Sequence, residues 1–244
     1  MEDRYLSIII PAYNESERLP PTLVDINQKL KNVNYNYEII VINDGSRDNT
    51  AEKVKIMINK GEVKNLKLID NKENKGKGGV VRQGMLAAEG KIRLFTDADN
   101  STSISHFEQM IPYFNQGYDV VIGSRALKGS RLDPPQPFSR RILGKLGNVF
   151  IQVMVLPGIW DTQCGFKAFS KEAALKIFDL SRISGWGFDV EALALAHHFG
   201  YKIKEIPVRW VNDTRSRVKG SAYLQVLLET IKIRWWLWSG KYNK

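Results

Sequence analysis

The sequence predicts an α/β protein with a mainly parallel sheet and helices on both of its faces. Three observations predict it. Apolar, β-branched runs alternate with helically spaced apolar residues through the first half, and each run ends in polar or charged residues. The length of 244 residues suits one such domain with a short appendage. Leu6 to Ile10 is the first strand, stopped at Pro11, and Leu19, Leu23, Ile26 and Leu30 then recur at helical spacing. Tyr37 to Ile42 is the second strand, closed by Asn43-Asp44-Gly45-Ser46. Asp48 is the expected N-cap of a helix that turns Ala51, Val54 and Met57 inward. Leu66 to Ile69, Lys91 to Thr96 and Tyr118 to Ile122 complete the strands, with a helix over Val80 to Ala88. In open α/β sheets ligands bind beyond the carboxyl ends of the strands, so chemistry is expected there.

The second half differs. Ile142, Leu143, Leu146, Val149, Phe150, Val153 and Met154 form one helical stripe behind a proline-rich loop, with Arg140, Arg141 and Lys145 on the other face. That helix reads equally as buried or as lying on a membrane. Leu224, Leu227, Leu228, Ile231, Trp235 and Trp238 form a second stripe. Residues 212–244 carry seven basic and two acidic side chains, a net of +5. The cluster Trp235, Trp236 and Trp238 resembles the aromatic belt found at headgroup depth. The expectation is a domain over 1–211 and a basic, aromatic, membrane-contacting tail over 212–244. Packing against the domain or a second subunit is the alternative.

A hydrophobic fraction of 43% and a charged fraction of 25% describe an ordinary globular chain. The lone cysteine, Cys164, excludes an internal disulfide framework and suits a reducing compartment. The N-terminus does not read as a signal peptide, and no uncharged apolar run approaches the roughly 20 residues that span a bilayer. Peripheral attachment at the cytoplasmic face of a membrane is therefore expected. The formal charge of +10 favours anionic partners, but no nucleic-acid-binding module accompanies it. Nucleic acid is not expected as a partner.

The strongest chemical signal is Thr96-Asp97-Ala98-Asp99 directly after an apolar strand. Carboxylates at i and i+2 off a strand end can address one site, as nucleotide contact and as ligands of a hard divalent cation, Mg²⁺ or Mn²⁺. Such a metal neutralises a departing diphosphate. At the first strand end Tyr13 can lie against a base and Glu15 can reach a ribose hydroxyl; at the second, Asp44 can accept a uracil N–H or simply serve a tight turn. Asn74-Lys75-Gly76-Lys77-Gly78-Gly79 offers lysines to phosphate and glycines for close backbone approach. It matches neither the dinucleotide-binding fingerprint nor the P-loop.

SIIIPAYNE, YEIIVINDGSRDNT, NKGKGGVVRQGML, FTDAD, VIGSR, DTQCGFKAF and GWGFDVE occur here in order. Together they resemble the family 2 inverting glycosyltransferases of GT-A fold, and most of all the dolichyl-phosphate β-glucosyltransferases and related polyprenyl-phosphate sugar synthases. The resemblance covers roughly residues 6–217. It implies that Pro11, Tyr13, Glu15, Ile42 and Asp44 hold uridine, that Lys77 and Ala98 line the donor site, and that Asp97 and Asp99 bind nucleotide and metal. Ser101 stands where related mannosyltransferases often carry a glutamine metal ligand. Arg125 and Arg140 would receive the acceptor phosphate, and Arg217 would fold over the donor diphosphate. The donor implied is UDP-glucose and the acceptor polyprenyl or dolichyl phosphate, with a homodimer or a membrane-protein partner as the assembly.

A lipid phosphate would attack the anomeric carbon from the face opposite UDP. A phosphate monoester is already ionised near neutrality, so it needs no strong general base. Asp161 is the residue expected to act as base or acceptor-orienting carboxylate, with a turn cap as its alternative. Asp189 and Glu191 are candidates for the sugar hydroxyls or for structure. Three rivals remain: a same-fold enzyme extending a glycan hydroxyl, a non-catalytic nucleotide- or lipid-binding module, and a basic RNA-binding protein.

Overall fold

The computed structural model describes residues 4–134, 138–211 and 221–243, with backbone alone over 138–143. The elements in chain order are β1 (Leu6–Ala12), α1 (Leu19–Lys29), β2 (Tyr37–Asp44), α2 (Thr50–Asn59), β3 (Leu66–Asn71), α3 (Lys77–Ala87) and β4 (Ile92–Thr96). There follow α4 (Phe107–Asn115), β5 (Val120–Ser124), β6 (Arg131–Asp133), α5 (Phe138–Met154), β7 (Phe166–Ser170), α6 (Lys171–Leu180) and α7 (Phe188–His198). The chain then forms β8 (Ile203–Pro207), β9 (Arg209–Val211) and α8 (Ser221–Trp238).

Seven strands form one sheet in the order β3-β2-β1-β4-β7-β5-β8, parallel except for β7, which runs antiparallel to both β4 and β5. Strand β1 is buried along its whole length because both of its faces are covered. Leu6, Ile8 and Ile10 point to the layer that contains Leu23 of α1, Val54 of α2 and Phe107 of α4. Ile9 points to the layer of α3, α6 and α7 through Val81, Ile177 and Leu193. Each such apolar side chain contributes about 1.5–3 kcal/mol on burial. The first strand continues past the expected stop, since Pro11 pairs in register with Ile42. The ladder to β4 has already ended at Ile9 and Phe95, so the missing proline N–H leaves no gap on that side. The helix cap at 48–50 also shifts by one residue: Asn49 is the N-cap, while the Asp48 carboxylate accepts from the Thr50 amide at 3.0 Å.

The two amphipathic helices carry their apolar stripes differently from an ordinary surface helix. On α8 the inward side chains are Ala222, Val226, Glu229, Thr230 and Ile233, whereas Leu224, Leu228, Ile231, Trp235 and Trp238 are exposed. On α5, Leu146, Val149 and Val153 are exposed as well, Val153 by 81%. On α8 most of the stripe visible in the sequence thus faces outward, while on α5 Met154 packs against the core. No described helix is long and apolar enough to cross a membrane.

The tail is fastened to the core by charge as well as by packing. Glu191 of α7, wholly buried, accepts from the amides of Arg182 and Ile183 and from the Tyr242 hydroxyl at 2.6 Å. It is structural, which settles the alternative left open for it. Glu229 of α8 accepts the Gly187 amide at 2.6 Å. Tyr242→Phe removes one of the bonds to a buried carboxylate and is expected to lower the urea-unfolding free energy by about 1.5–3 kcal/mol.

Candidate active site

Strand β1 is flanked by β2 on one side and β4 on the other, so the chain reverses its direction of winding there and leaves a crevice beyond the strand ends. Asp97 follows β4 directly. Its amide donates to the Gly165 carbonyl at 3.2 Å, and its carboxylate lies against Gly165 so closely that any Cβ at that position would overlap it. The QCGFK turn before β7 is therefore the seat of Asp97. Asp97 Oδ1 accepts from Lys77 Nζ at 2.6 Å. Asp99 faces Arg18 at 3.7 Å and accepts from the Ser101 amide at 3.0 Å. Burial raises the Asp99 pKa, and the neighbouring Asp97 charge raises it further. Arg18, which the motif reading passed over, also forms a two-pronged pair with Glu15.

The residues expected to hold uridine gather at the same crevice but with different freedoms. Tyr13 is partly exposed. Glu15 already has Arg18 as its partner, so its carboxylate is held rather than waiting. Pro11 is buried within the ladder. The Ile42 side chain is fully buried and packs beside Gly84. Asp44 is buried, and its Oδ1 accepts from the Lys75 amide at 2.6 Å. Burial raises its pKa against the pull of that loop. The Ala98 side chain is buried and its carbonyl accepts from Thr22 at 2.9 Å.

The glycines of the 74–79 loop have a packing role of their own. A Cβ on Gly78 would fall 2.6 Å from the Phe188 Cβ, and the Gly78 amide donates to the Ser184 carbonyl at 2.9 Å. Its glycines thus let the start of α3 dock on the 183–188 segment. That docking carries the Lys77 ammonium to within 5.4 Å of the Trp186 ring and 5.9 Å of the Phe188 ring. Burial depresses the Lys77 pKa, but Asp97, Asp189 and Asp99 more than reverse this and leave it raised. Asp189 pairs with the wholly buried Lys167 at 2.6 Å.

Arg125 ends β5 and grips Asp161 with Nε at 2.7 Å and Nη2 at 2.8 Å, while the Arg125 amide donates to Oδ2 at 2.8 Å. Gln163 adds a fourth donor at 3.3 Å. The Asp161 carboxylate is saturated, and its pKa ends below the ordinary aspartate range because the Arg125 charge and these bonds outweigh its burial. Arg125 stacks over Trp210 at 5.5 Å and feels the Asp97 charge. Cys164 is buried, its thiol pushed up to about 12 by desolvation, which leaves it a packing residue. The Arg140 side chain and Arg217 lie outside the described residues. Because Asp161 has a depressed pKa in the folded state, its contribution to stability is present above the ordinary aspartate range and is lost as the pH falls below it. Urea unfolding at pH 5 and pH 3 is expected to show a larger loss for the native chain than for Arg125→Met, whose unpaired Asp161 gains stability on protonation.

Asp97 and Asp99 are hard oxygen donors whose charges oppose each other, which fits a divalent cation. Among the described residues no cluster of three metal-ligating side chains exists, so substrate oxygens and water would fill the rest of its shell.

The chain matches the model of glycosyl transferase family 2 over residues 7–178. It is 39% identical to the dolichyl-phosphate beta-glucosyltransferase of Dictyostelium discoideum, across 96% of this chain and 75% of that protein. It is 36% identical to the Saccharomyces cerevisiae protein of that name, across 86% of this chain and 67% of that one. With the Homo sapiens protein the identity is 31%, across 88% and 70%. Among solved structures it is similar to glucosyl-3-phosphoglycerate synthase from Mycobacterium tuberculosis in complex with Mn²⁺, uridine diphosphate and glucosyl-3-phosphoglycerate. The TM-score is 0.69 at 21% identity, covering 95% of this chain and 80% of that one. At that identity the similarity establishes the fold, a GT-A fold as the sequence predicts. A family match across six of the seven strands of the main sheet, with relatives over most of both chains, identifies this protein as a glycosyltransferase of family 2.

Proposed function

We propose that the chain moves glucose from UDP-glucose to the phosphate of dolichyl or polyprenyl phosphate, with inversion, at a membrane surface. The observation that carries this reading is the saturation of Asp161. With four donors on its carboxylate and a depressed pKa, it has no free lone pair directed at an incoming hydroxyl. Asp189 and Glu191 are likewise occupied. A nucleophile that arrives already ionised suits such a site, and a phosphate monoester does so because its second pKa is near 6. The alternative, a glycan hydroxyl, needs a base worth about 10²- to 10⁴-fold. The names of the relatives point to the same acceptor and sugar.

In this reading the crevice beyond β1 and β2 holds the nucleotide, with Asp44 and Tyr13 near the base. Lys77 meets the diphosphate. A divalent cation held by Asp97 and Asp99 would supply charge neutralisation for the leaving diphosphate. Arg125 binds the acceptor phosphate: a guanidinium has five N–H donors, and among the described residues no acceptor engages Nη1. Asp161 then holds Arg125 in place instead of moving a proton. Most of the rate comes from in-line placement of phosphate oxygen and anomeric carbon.

The membrane contact rests on the outward faces of α5 and α8. Val153 and Trp238 line one cleft, so the outward faces of the two helices adjoin. Trp235 and Trp238 stand there beside Lys232, Arg234 and Lys241, an arrangement suited to the headgroup region. Peripheral attachment on the cytoplasmic side fits the lone reduced Cys164.

The test is transfer of radiolabelled sugar from a panel of UDP- and GDP-sugars to polyprenyl phosphate in detergent, with Mn²⁺ or EDTA. Label is expected in the organic phase from UDP-glucose alone and only with metal. Label that stays aqueous from every donor while UDP still binds overturns the lipid-phosphate acceptor. Asp161→Asn is expected to raise KM for the lipid phosphate while turnover persists at saturating acceptor; complete loss at every acceptor concentration instead marks a base. Replacing Trp235 and Trp238 together by Ser is expected to weaken flotation with anionic vesicles by about tenfold or more, equivalent to 1.4 kcal/mol, without lowering transfer to a short-chain acceptor in solution.

A further inference from the structure

Lys167 is the most deeply buried cation of the described chain, with a side-chain exposure of 0%. A charge so placed is costly unless it is paired and hydrogen-bonded. It lies on β7, between the two strands that carry Asp97 and Arg125, with its ammonium 5.2 Å from the Phe95 ring. Two acceptors engage it: the Cys164 carbonyl at 2.6 Å and Asp189 Oδ1 at 2.6 Å. The first belongs to the turn on which Asp97 is seated. The second stands in the first turn of α7, one residue beyond the Phe188 ring over which Lys77 lies. The helix N-terminus also favours an anion at that point. The groups facing Asp189 are Lys167, Lys77 and Asp97, two cations and one anion. The donor site thus rests on a series of alternating charge, Asp97, Lys77, Asp189 and Lys167, with Asp99 as a second anion beside Asp97.

We propose that Lys167 is a positioning residue for the donor site, holding buried Asp189 as the anion that, with Asp97, fixes the Lys77 ammonium where the donor diphosphate meets it. The proposal rests on the donor-site reading above. Asp97 has a second task there, as metal ligand, and cannot serve Lys77 alone. Asp189 has no competing partner among the described residues beyond the two lysines. Burial raises the Asp189 pKa, and the Lys167 and Lys77 charges pull against that rise. A residue kept only for packing would be replaceable, together with its partner, by neutral side chains of similar shape.

The experiment compares the native chain with Asp189→Asn, Lys167→Met and the double variant Lys167→Met/Asp189→Asn. Melting temperature, UDP-glucose affinity by calorimetry in the presence of Mn²⁺, and donor KM are measured for each. Lys167→Met, which deprives a buried carboxylate of its partner, and Asp189→Asn, which does the same to a buried ammonium, are each expected to melt well below the native chain. The double variant, with no buried charge left unpaired, is expected to recover most of that loss. Even so, Asp189→Asn and the double variant are expected to bind UDP-glucose about tenfold more weakly, with donor KM rising in step. A double variant that melts like the native chain and binds UDP-glucose as tightly would overturn the proposal and leave the pair as packing. Failure of the native chain itself to bind UDP-glucose would sink the donor-site reading and the proposal together, so the two failures are distinguishable.

Discussion

Asp97 is held in place by a side chain that is missing. Its carboxylate occupies the volume a Cβ on Gly165 would need, and its amide bonds to the Gly165 carbonyl. That contact exists because β7 is inserted antiparallel between β4 and β5, bringing the Cys164-Gly165 turn beside the end of β4. The same insertion sets Lys167 beneath Asp97's loop and leaves Asp161, three residues before Cys164, within reach of Arg125 at the end of β5. Asp97 and Arg125 are thereby both positioned by the segment 161–165. In-line transfer tolerates little misplacement, and an error of about 1 Å in such a geometry costs on the order of 10²-fold.

The second constraint is electrostatic. The crevice collects acidic groups that repel one another, and each is answered by a basic group on a different element: Arg18 for Asp99, Lys77 for Asp97, Lys167 for Asp189, Arg125 for Asp161. Buried ion pairs are weak evidence for stability, since well-packed apolar residues often serve as well. Their concentration around one crevice suits placement of charge for a highly charged substrate.

Much of the sheet was legible in the sequence, because the buried parallel strands are continuous apolar runs that end at Asp44 and Thr96. Strand β7 was not: in Phe166-Lys167-Ala168-Phe169 the lysine suggests a solvent face, yet it is interior, and no periodicity announces a buried charge. Asp189 and Glu191 two apart suggested a shared task, but on a helix such residues face different sides. One turns to Lys167 and the other to Tyr242. For α8, apolar residues lie on both faces, so the stripe could be read but not its direction. Gly165 stood within a quoted motif, but the volume it must leave vacant is a tertiary property. Arg18 sits in a charged loop without any pattern to mark it.

Asp97 is the proposed meeting point of metal, diphosphate and Lys77. A crystal structure of the chain soaked with UDP-glucose and Mn²⁺ tests this most directly. The predicted result is a metal bridging the Asp97 and Asp99 carboxylates and the diphosphate, with the Lys77 ammonium drawn from Asp97 Oδ1 towards phosphate oxygen. Nucleotide bound away from the ends of β1 and β4, or bound there with Lys77 still closed on Asp97 and no metal between the carboxylates, would contradict it.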